Sequence, residues 1–395
     1  MPKLAVDGGT PVRDTLLPYG HQSIDDADIQ SVVKVLKGDW LTTGPVVNQF
    51  EKAVAEYVGA KDAVVVNSGT AALHAAAFAA GIGPGDGVIV TPMTFAASAN
   101  CILYMGGRPV FADVSANTLN IDPAEIEKKI TPHTKAIVAV DYTGQPCDFD
   151  AIRLIAEKHN LVVIEDAAHA LGATYRGRKI GTLNELTTLS FHPVKHITTG
   201  EGGMIVTDSP DLAAQMRAFR SHGITGDFRQ REEVGSWSYE MVGLGYNYRL
   251  PDINCALGIS QLTKINGWLA KRRAIAARYR QAFADLPGVE LLDVSPDVEP
   301  AWHLFVIKLN LDQLSVARKQ VFAALRAENI GVNVHYIPVH WHPYYQKLGY
   351  THGLCPVAES AYERLLSLPM FSGMSDADVD VVVVALHKVL TAYAK

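Results

Sequence analysis

Residues 63–81 read AVVVNSGTAALHAAAFAAG, and their two halves obey different rules. The first four residues are small or β-branched apolar, the composition of a strand buried on both faces. From Gly69 onward the run is alanine-rich and helical in composition. Asn67-Ser68-Gly69-Thr70 forms the joint. A strand that feeds directly into a helix through such a turn is half of a βαβ unit.

The pattern repeats along the chain. GVIVTP (87–92), RPVFADV (108–114), AIVAVDY (136–142), LVVIED (161–166), TTLSFH (187–192) and GMIVTD (203–208) are short apolar runs. DPAEIEKKI and DFDAIRLIAEKHN read as helices between some of them. This alternation predicts an α/β domain with a mostly parallel sheet covered on both faces, its ligands bound at the carboxyl ends of the strands. Beyond residue 250 the pattern changes. A long helical stretch is expected with an interruption near Asn266-Gly267, then strands at 302–310 and 331–336, a helix near 315–328 and a last helix from Asp376. Residues 1–255 are therefore read as a large α/β domain and 256–395 as a smaller α+β one. The segment LLDVSPDVEPAW (291–302) is read as a surface loop.

Composition excludes several classes. The 395 residues are 48% hydrophobic and 19% charged, so a sizeable core is expected. A net charge of −6 leaves no basic footprint for nucleic acid. Four scattered cysteines without a CxxC pair read as reduced thiols of a cytosolic protein. No apolar run approaches the roughly 20 residues of a membrane helix, and no metal-ligand spacing is present. GIGPGDG (81–87) imitates a dinucleotide loop, but it follows a helix and precedes a strand, so it is read as a helix-terminating turn.

The candidate chemistry lies at strand ends. Asp166 closes LVVIED and His169 follows it. Lys195, in SFHPVKHITTGEGG, follows a strand that carries Ser190 and His192. Alone, Asp166 reads as well as a helix cap, Lys195 as a solvated charge, and Ser68 as an N-cap. Together they match the needs of pyridoxal phosphate chemistry, a lysine for the aldehyde and an acid against the pyridinium nitrogen. The third need is an anion cradle, which the NSGT turn at a helix N-terminus can supply, with Ser190 adding a hydroxyl. Phe95, in TPMTFAASAN, can stack on a planar ring.

With these stretches on the page, the chain resembles the DegT-type sugar-nucleotide aminotransferases, of aspartate-aminotransferase-like fold. DGGTPVRD (7–14), WLTTGP (40–45), FRSHGI (219–224), GYNYRL (245–250) and VHYIPVHWHPYYQKLGY (334–350) extend the resemblance over nearly the whole chain. It implies a seven-stranded-type sheet domain with pyridoxal 5'-phosphate as cofactor. Lys195 would bond to the cofactor and later shuttle a proton. Asp166 would hold the ring nitrogen protonated, His169 would lie near the ring hydroxyl, and Phe95 would stack on the ring. Gly69, Thr70 and Ser190 would bind the phosphate, with Asn247 supplied by a second subunit, so a homodimer with shared sites is expected.

The family's dehydratase branch carries histidine at the lysine position, and Lys195 argues against it. The implied reaction moves an amino group from L-glutamate to a keto-sugar on a nucleotide. VDYTGQPCDFDAI (140–152) and the Lys195 segment look most like the enzymes of pseudaminic acid biosynthesis, which aminate C4 of a UDP-linked 4-keto-6-deoxy sugar. UDP-linked aminoarabinose enzymes, and dTDP- or GDP-sugar enzymes, are the alternatives. Thr42, Thr43, His192, His335 and Tyr336 are the candidate substrate contacts. A non-catalytic regulator on the same fold and an amino-acid aminotransferase are the rival readings.

Overall fold

The computed structural model describes residues 3–224 and 235–395. Its centre is a seven-stranded sheet. Five strands come first in the chain: β1 (Asp62–Val66), β2 (Gly87–Val90), β3 (Arg108–Phe111), β4 (Thr134–Val140) and β5 (Val162–Asp166). A short hairpin, β6 (Thr174–Tyr175) and β7 (Arg178–Lys179), precedes β8 (Leu186–Ser190) and β9 (Gly203–Thr207). The order across the sheet is β1-β9-β8-β5-β4-β2-β3. Only β9 runs against its neighbours β1 and β8; the β8-β5-β4-β2-β3 pairs are parallel.

Both faces of this sheet are buried, which explains the unbroken apolar runs. Successive residues of a strand point to opposite faces. Val64, Val66, Val88, Val90 and Val138 pack into one core cluster, while Ala63, Val65, Ile89, Ile137 and Ala139 pack into another. The helix Gly69–Ala79 starts straight after β1. Past it, Gly81 adopts a left-handed φ of 68° and the Asp86 carboxylate accepts from the Gly83 amide at 2.8 Å. GIGPGDG is thus the helix-terminating turn that its position predicts.

A second, antiparallel sheet is formed by β10 (Val289–Leu291), β12 (Phe305–Leu309) and β13 (Leu365–Leu368). Between them, β11 (Val298–Glu299) pairs with β6, so the 291–302 loop contributes a short strand to the hairpin. A third core cluster joins β12 and β13 to the helix Asp376–Ala392, and Leu4 and Leu17 from the N-terminal segment lie within it.

One expectation for this region is sharpened and another is corrected. The long helical stretch breaks at Thr263–Lys264, between Asp252–Leu262 and Ile265–Phe283, while Asn266 and Gly267 lie inside the second helix. At the break, Thr263 Oγ1 donates to the Ser260 carbonyl at 2.6 Å, and Lys264 Nζ turns to Asp28 at 2.8 Å. GVNVHY is no regular strand either; only Asn333 bridges to Ser367. The chain leaves the sheet at His335, whose carbonyl accepts from Tyr142 Oη at 2.5 Å beside the large sheet.

The sheet register brings three ends together. Gly203, first in β9, pairs with Val66 at the end of β1 and with Ser190 at the end of β8. The backbone of Ser68 and Gly69 crosses directly over it. A Cβ at Gly203 would lie 2.4 Å from the Ser68 carbonyl oxygen and 2.8 Å from the Gly69 nitrogen. Gly203→Ala is expected to destabilise the cofactor-free protein by about 1–3 kcal/mol, because backbone must shift to admit the methyl. Urea unfolding of the two proteins, compared at equal m-value, measures it.

Candidate active site

Three parallel strands, β1, β5 and β8, end on one edge of the sheet, and the candidate residues follow from their ends. Asp166 is the last residue of β5 and is 4% exposed. Its neighbour Glu165 points to the opposite face, where Asn184 Nδ2 and Thr187 Oγ1 donate to its carboxylate at 2.9 and 2.8 Å. The strand's alternation thus separates a structural carboxylate from one that faces the cleft. Asp166 accepts a 2.6 Å hydrogen bond from Ser98 Oγ and one from the Ala168 amide at 3.2 Å. Among the described residues it makes no ion pair. Burial pushes its pKa up against the pull of Ser98, the Ala168 amide and Lys195.

Lys195 sits in a turn just beyond β8, its amide bonded to the His192 carbonyl at 2.9 Å. The side chain is partly buried and its Nζ lies 3.4 Å from His303 Nε2. Burial lowers its pKa to about 8, with Asp166 opposing and Arg272 assisting the shift. An amine so placed is partly neutral near physiological pH, the condition a nucleophilic lysine requires.

Around Lys195 stand buried imidazoles. His169 and His303 lie ring to ring at 4.3 Å, and His196 is 5.8 Å from His303. Burial, then the neighbouring cations, drives the pKa of His169 well below the ordinary histidine value, so it is neutral. His169 Nε2 meets Tyr336 Oη at 3.1 Å while its Nδ1 is buried without a partner. Tyr336 also lies 6.3 Å, centroid to centroid, from Phe95, which is 62% exposed.

The cradle is equally defined. Ser68 caps the helix, its Oγ accepting from the Ala71 amide at 3.0 Å, and the Gly69 and Thr70 amides begin the helix without intrahelical acceptors. A Cβ at Gly69 would come 3.1 Å from Ser190 Oγ, so the serine hydroxyl lies against the start of this helix. An anionic group fits there. An acid without a base, a depressed lysine, an open aromatic face and this cradle together fit a phosphorylated pyridine aldehyde.

The other candidates contribute less or fall outside this group. His192 is exposed, unlike the buried imidazoles around Lys195. His335 is buried, but its Nδ1 is spent on Ser367 Oγ at 2.8 Å. Thr42 and Thr43 lie in a loop tied to the Asp252 carboxylate through the Gly44 and Val46 amides, and neither hydrogen-bonds to the Lys195 group within the chain. Asn247 is exposed, and among the described residues its carbonyl accepts from Asn67 Nδ2 at 3.4 Å. Three contributors escaped sequence reasoning: Ser98, His303 and Arg272. Ser98 lies one helical turn past Phe95, which is a signal that could have found it. His303 and Arg272 come from distant segments, and nothing in their local sequence marks them.

The sequence matches the DegT/DnrJ/EryC1/StrS aminotransferase family over residues 22–387. It is 46% identical over 381 residues to the spore coat polysaccharide biosynthesis protein SpsC of Bacillus subtilis, covering 96% of this chain and 98% of that protein. The fold superposes on Helicobacter pylori PseC, an aminotransferase involved in the biosynthesis of pseudaminic acid, with TM-score 0.90 at 33% identity, covering 96% of this chain and all of that one. It also superposes on Spr1654 of Streptococcus pneumoniae in its PMP form, with TM-score 0.91 at 32% identity, over 95% and 99% of the two chains. The same protein in its PLP form gives a TM-score of 0.90. Matched over nearly its whole length in sequence and fold, the chain belongs to the DegT/DnrJ/EryC1/StrS aminotransferase family.

Proposed function

We propose that this aminotransferase moves the amino group of L-glutamate to C4 of a UDP-linked 4-keto-6-deoxy-hexose, as in pseudaminic acid biosynthesis. The observation that carries the reading is the convergence of Lys195, Asp166 and the Gly69–Ser190 cradle on one sheet edge. The cofactor is pyridoxal 5'-phosphate; when bound, it supplies the electron sink that lets an amine pass from donor to keto acceptor. The likeness to PseC supports the pseudaminic-type sugar, and the likeness to SpsC supports a sugar product destined for a polysaccharide.

Each residue has a task in this reading. Lys195 would hold the cofactor aldehyde and would carry a proton at Nζ. Asp166 would supply the counter-charge to the pyridine nitrogen. Gly69, Thr70 and Ser190 would bind the phosphate, and His169 and Phe95 would help to hold the ring. Thr42, Thr43, His192, His335 and Tyr336 are assigned to the sugar-nucleotide side, Tyr336 with the best support because it already touches His169.

Asn247 completes the phosphate site of a partner subunit in a homodimer. Support comes from the segment before it, where Trp237, Met241, Val242 and Leu244 are 89%, 67%, 64% and 76% exposed. So large an apolar display on a monomer marks an interface. Among the described residues no helix is long and apolar enough to cross a membrane, and we place the enzyme in the cytoplasm with its nucleotide-linked substrates.

Lys195→Ala is expected to lower the amination rate by roughly 10²–10⁴-fold, the range for removal of a positioned proton carrier, and to abolish covalent cofactor retention. Asp166→Asn is expected to retain the cofactor and still lose most of the rate. Unchanged turnover in either variant sinks the assignment. A screen of UDP-, dTDP- and GDP-linked 4-keto sugars with glutamate, with the new amine located by NMR, is expected to give a C4 amine on the UDP sugar. Turnover of a dTDP or GDP sugar instead moves the enzyme to another branch, and turnover between two amino acids alone refutes a sugar acceptor.

A further inference from the structure

Arg272 is the least economical residue in the molecule. It is 2% exposed and has no carboxylate partner among the described residues. One of its nitrogens, Nη1, donates to three carbonyls: Trp302 at 3.1 Å, His303 at 3.2 Å and Met370 at 3.1 Å. Its Nε is buried and unpaired. A buried cation without a counter-charge is costly, and three carbonyl contacts offset only part of that cost.

What Arg272 holds is the segment that reaches Lys195. Ala301–Leu304 is pinned from several sides. The Ala301 amide donates to the Gly144 carbonyl at 2.9 Å, the Leu304 amide to the Thr143 carbonyl at 3.2 Å, and His196 Nε2 meets the Ala301 carbonyl at 3.0 Å. Trp302 is bent into a left-handed φ of 52°. Gly144 lets this segment approach the His169 turn, since a Cβ there would lie 2.5 Å from the His169 carbonyl and 3.0 Å from the His303 nitrogen. The outcome is a fixed imidazole, its Nε2 3.4 Å from Lys195 Nζ and its Nδ1 buried without a partner.

We propose that His303 is a positioning residue for Lys195, accepting one N–H of the amine at Nε2, and that Arg272, bonded to the His303 carbonyl, fixes that imidazole and sets an uncompensated positive charge behind the pair. The proposal rests on the assignment of Lys195 as the cofactor lysine, and it names two residues outside the cofactor's own contacts. The groups that face Lys195 are Asp166 from β5, His169 from the turn after it, His303, His335 and His196, with Arg272 behind them. Only Asp166 favours the ammonium; Arg272 opposes protonation of Lys195, His303 and His196 alike. The arrangement needs the charge of Arg272 as well as its hydrogen bonds.

The test uses cofactor-free protein, so it does not depend on turnover. Competitive labelling with acetic anhydride across pH, with the Lys195 peptide quantified by mass spectrometry, reads the protonation midpoint of the amine. The midpoint is expected near 8 in the native protein. It is expected to rise by on the order of one pH unit in Arg272→Met, since a like charge that disfavoured the ammonium is gone. Arg272→Lys keeps the charge and is expected to leave the midpoint within half a unit. An unchanged midpoint in a cooperatively folded Arg272→Met protein overturns the role of the charge. If that variant does not fold, Arg272→Lys and His303→Phe decide. His303→Phe is expected to slow covalent reloading of cofactor, followed by absorbance, by about tenfold, and His303→Gln to recover part of it. Native reloading in His303→Phe, or a shifted midpoint in Arg272→Lys, overturns the proposal. Hydride reduction of loaded native protein and peptide mapping check the underlying assignment separately. Cofactor on another lysine refutes that assignment, whatever the labelling midpoints are.

Discussion

The constraint on which the site depends is the shared direction of β1, β5 and β8. Because they run in parallel, the turns after Val66, Asp166 and Ser190 open on one edge, and β9 returns between two of them with a glycine at the crossing. An anion cradle, a carboxylate and a lysine separated by over 120 residues of chain thereby become neighbours. Any residue larger than glycine at 203 would push Ser68 and Gly69 away from Ser190. The glycine-rich run after Lys195 is therefore a condition of the cradle as well as a loop.

Electrostatics completes what the strands begin. Burial acts on every ionisable group at this edge and pushes each toward its neutral form: Asp166 up, and Lys195, His169 and His303 down. The protein thus shifts an acid and a base at one edge toward each other's range. Such paired displacement is what a site that must pass protons near neutral pH requires. Arg272 enforces the trend from behind, and Ser98 resists it by donating to Asp166.

Much of this was legible in the sequence, for a physical reason. Strands buried on both faces announce themselves as apolar runs, and polar residues at their carboxyl ends are therefore conspicuous. Asp166, Ser190, Lys195 and the NSGT turn were found that way. The interruption expected near Asn266-Gly267 falls two residues earlier, at Thr263–Lys264, where Lys264 meets Asp28 from more than 200 residues away, a partner that local sequence does not reveal. GVNVHY has strand composition, yet it is drawn off its sheet where Tyr142 bonds His335 and Tyr336 reaches His169. His303 and Arg272 carry no local signal, since their meaning comes only from what folding places beside them. The residues assigned to the sugar came from family resemblance, and among the described residues Tyr336 is the one of them that hydrogen-bonds to the buried cluster, with His335 packed against its ring.

The central claim is that one site takes an amine from glutamate, stores it and hands it to a nucleotide-linked ketone. Single-turnover spectroscopy of the loaded enzyme tests it most directly. Glutamate alone should bleach the cofactor's visible band with one equivalent per chain, and a UDP-linked 4-keto sugar added afterwards should restore it. A band that ignores glutamate, or that returns without any keto sugar, would contradict the account.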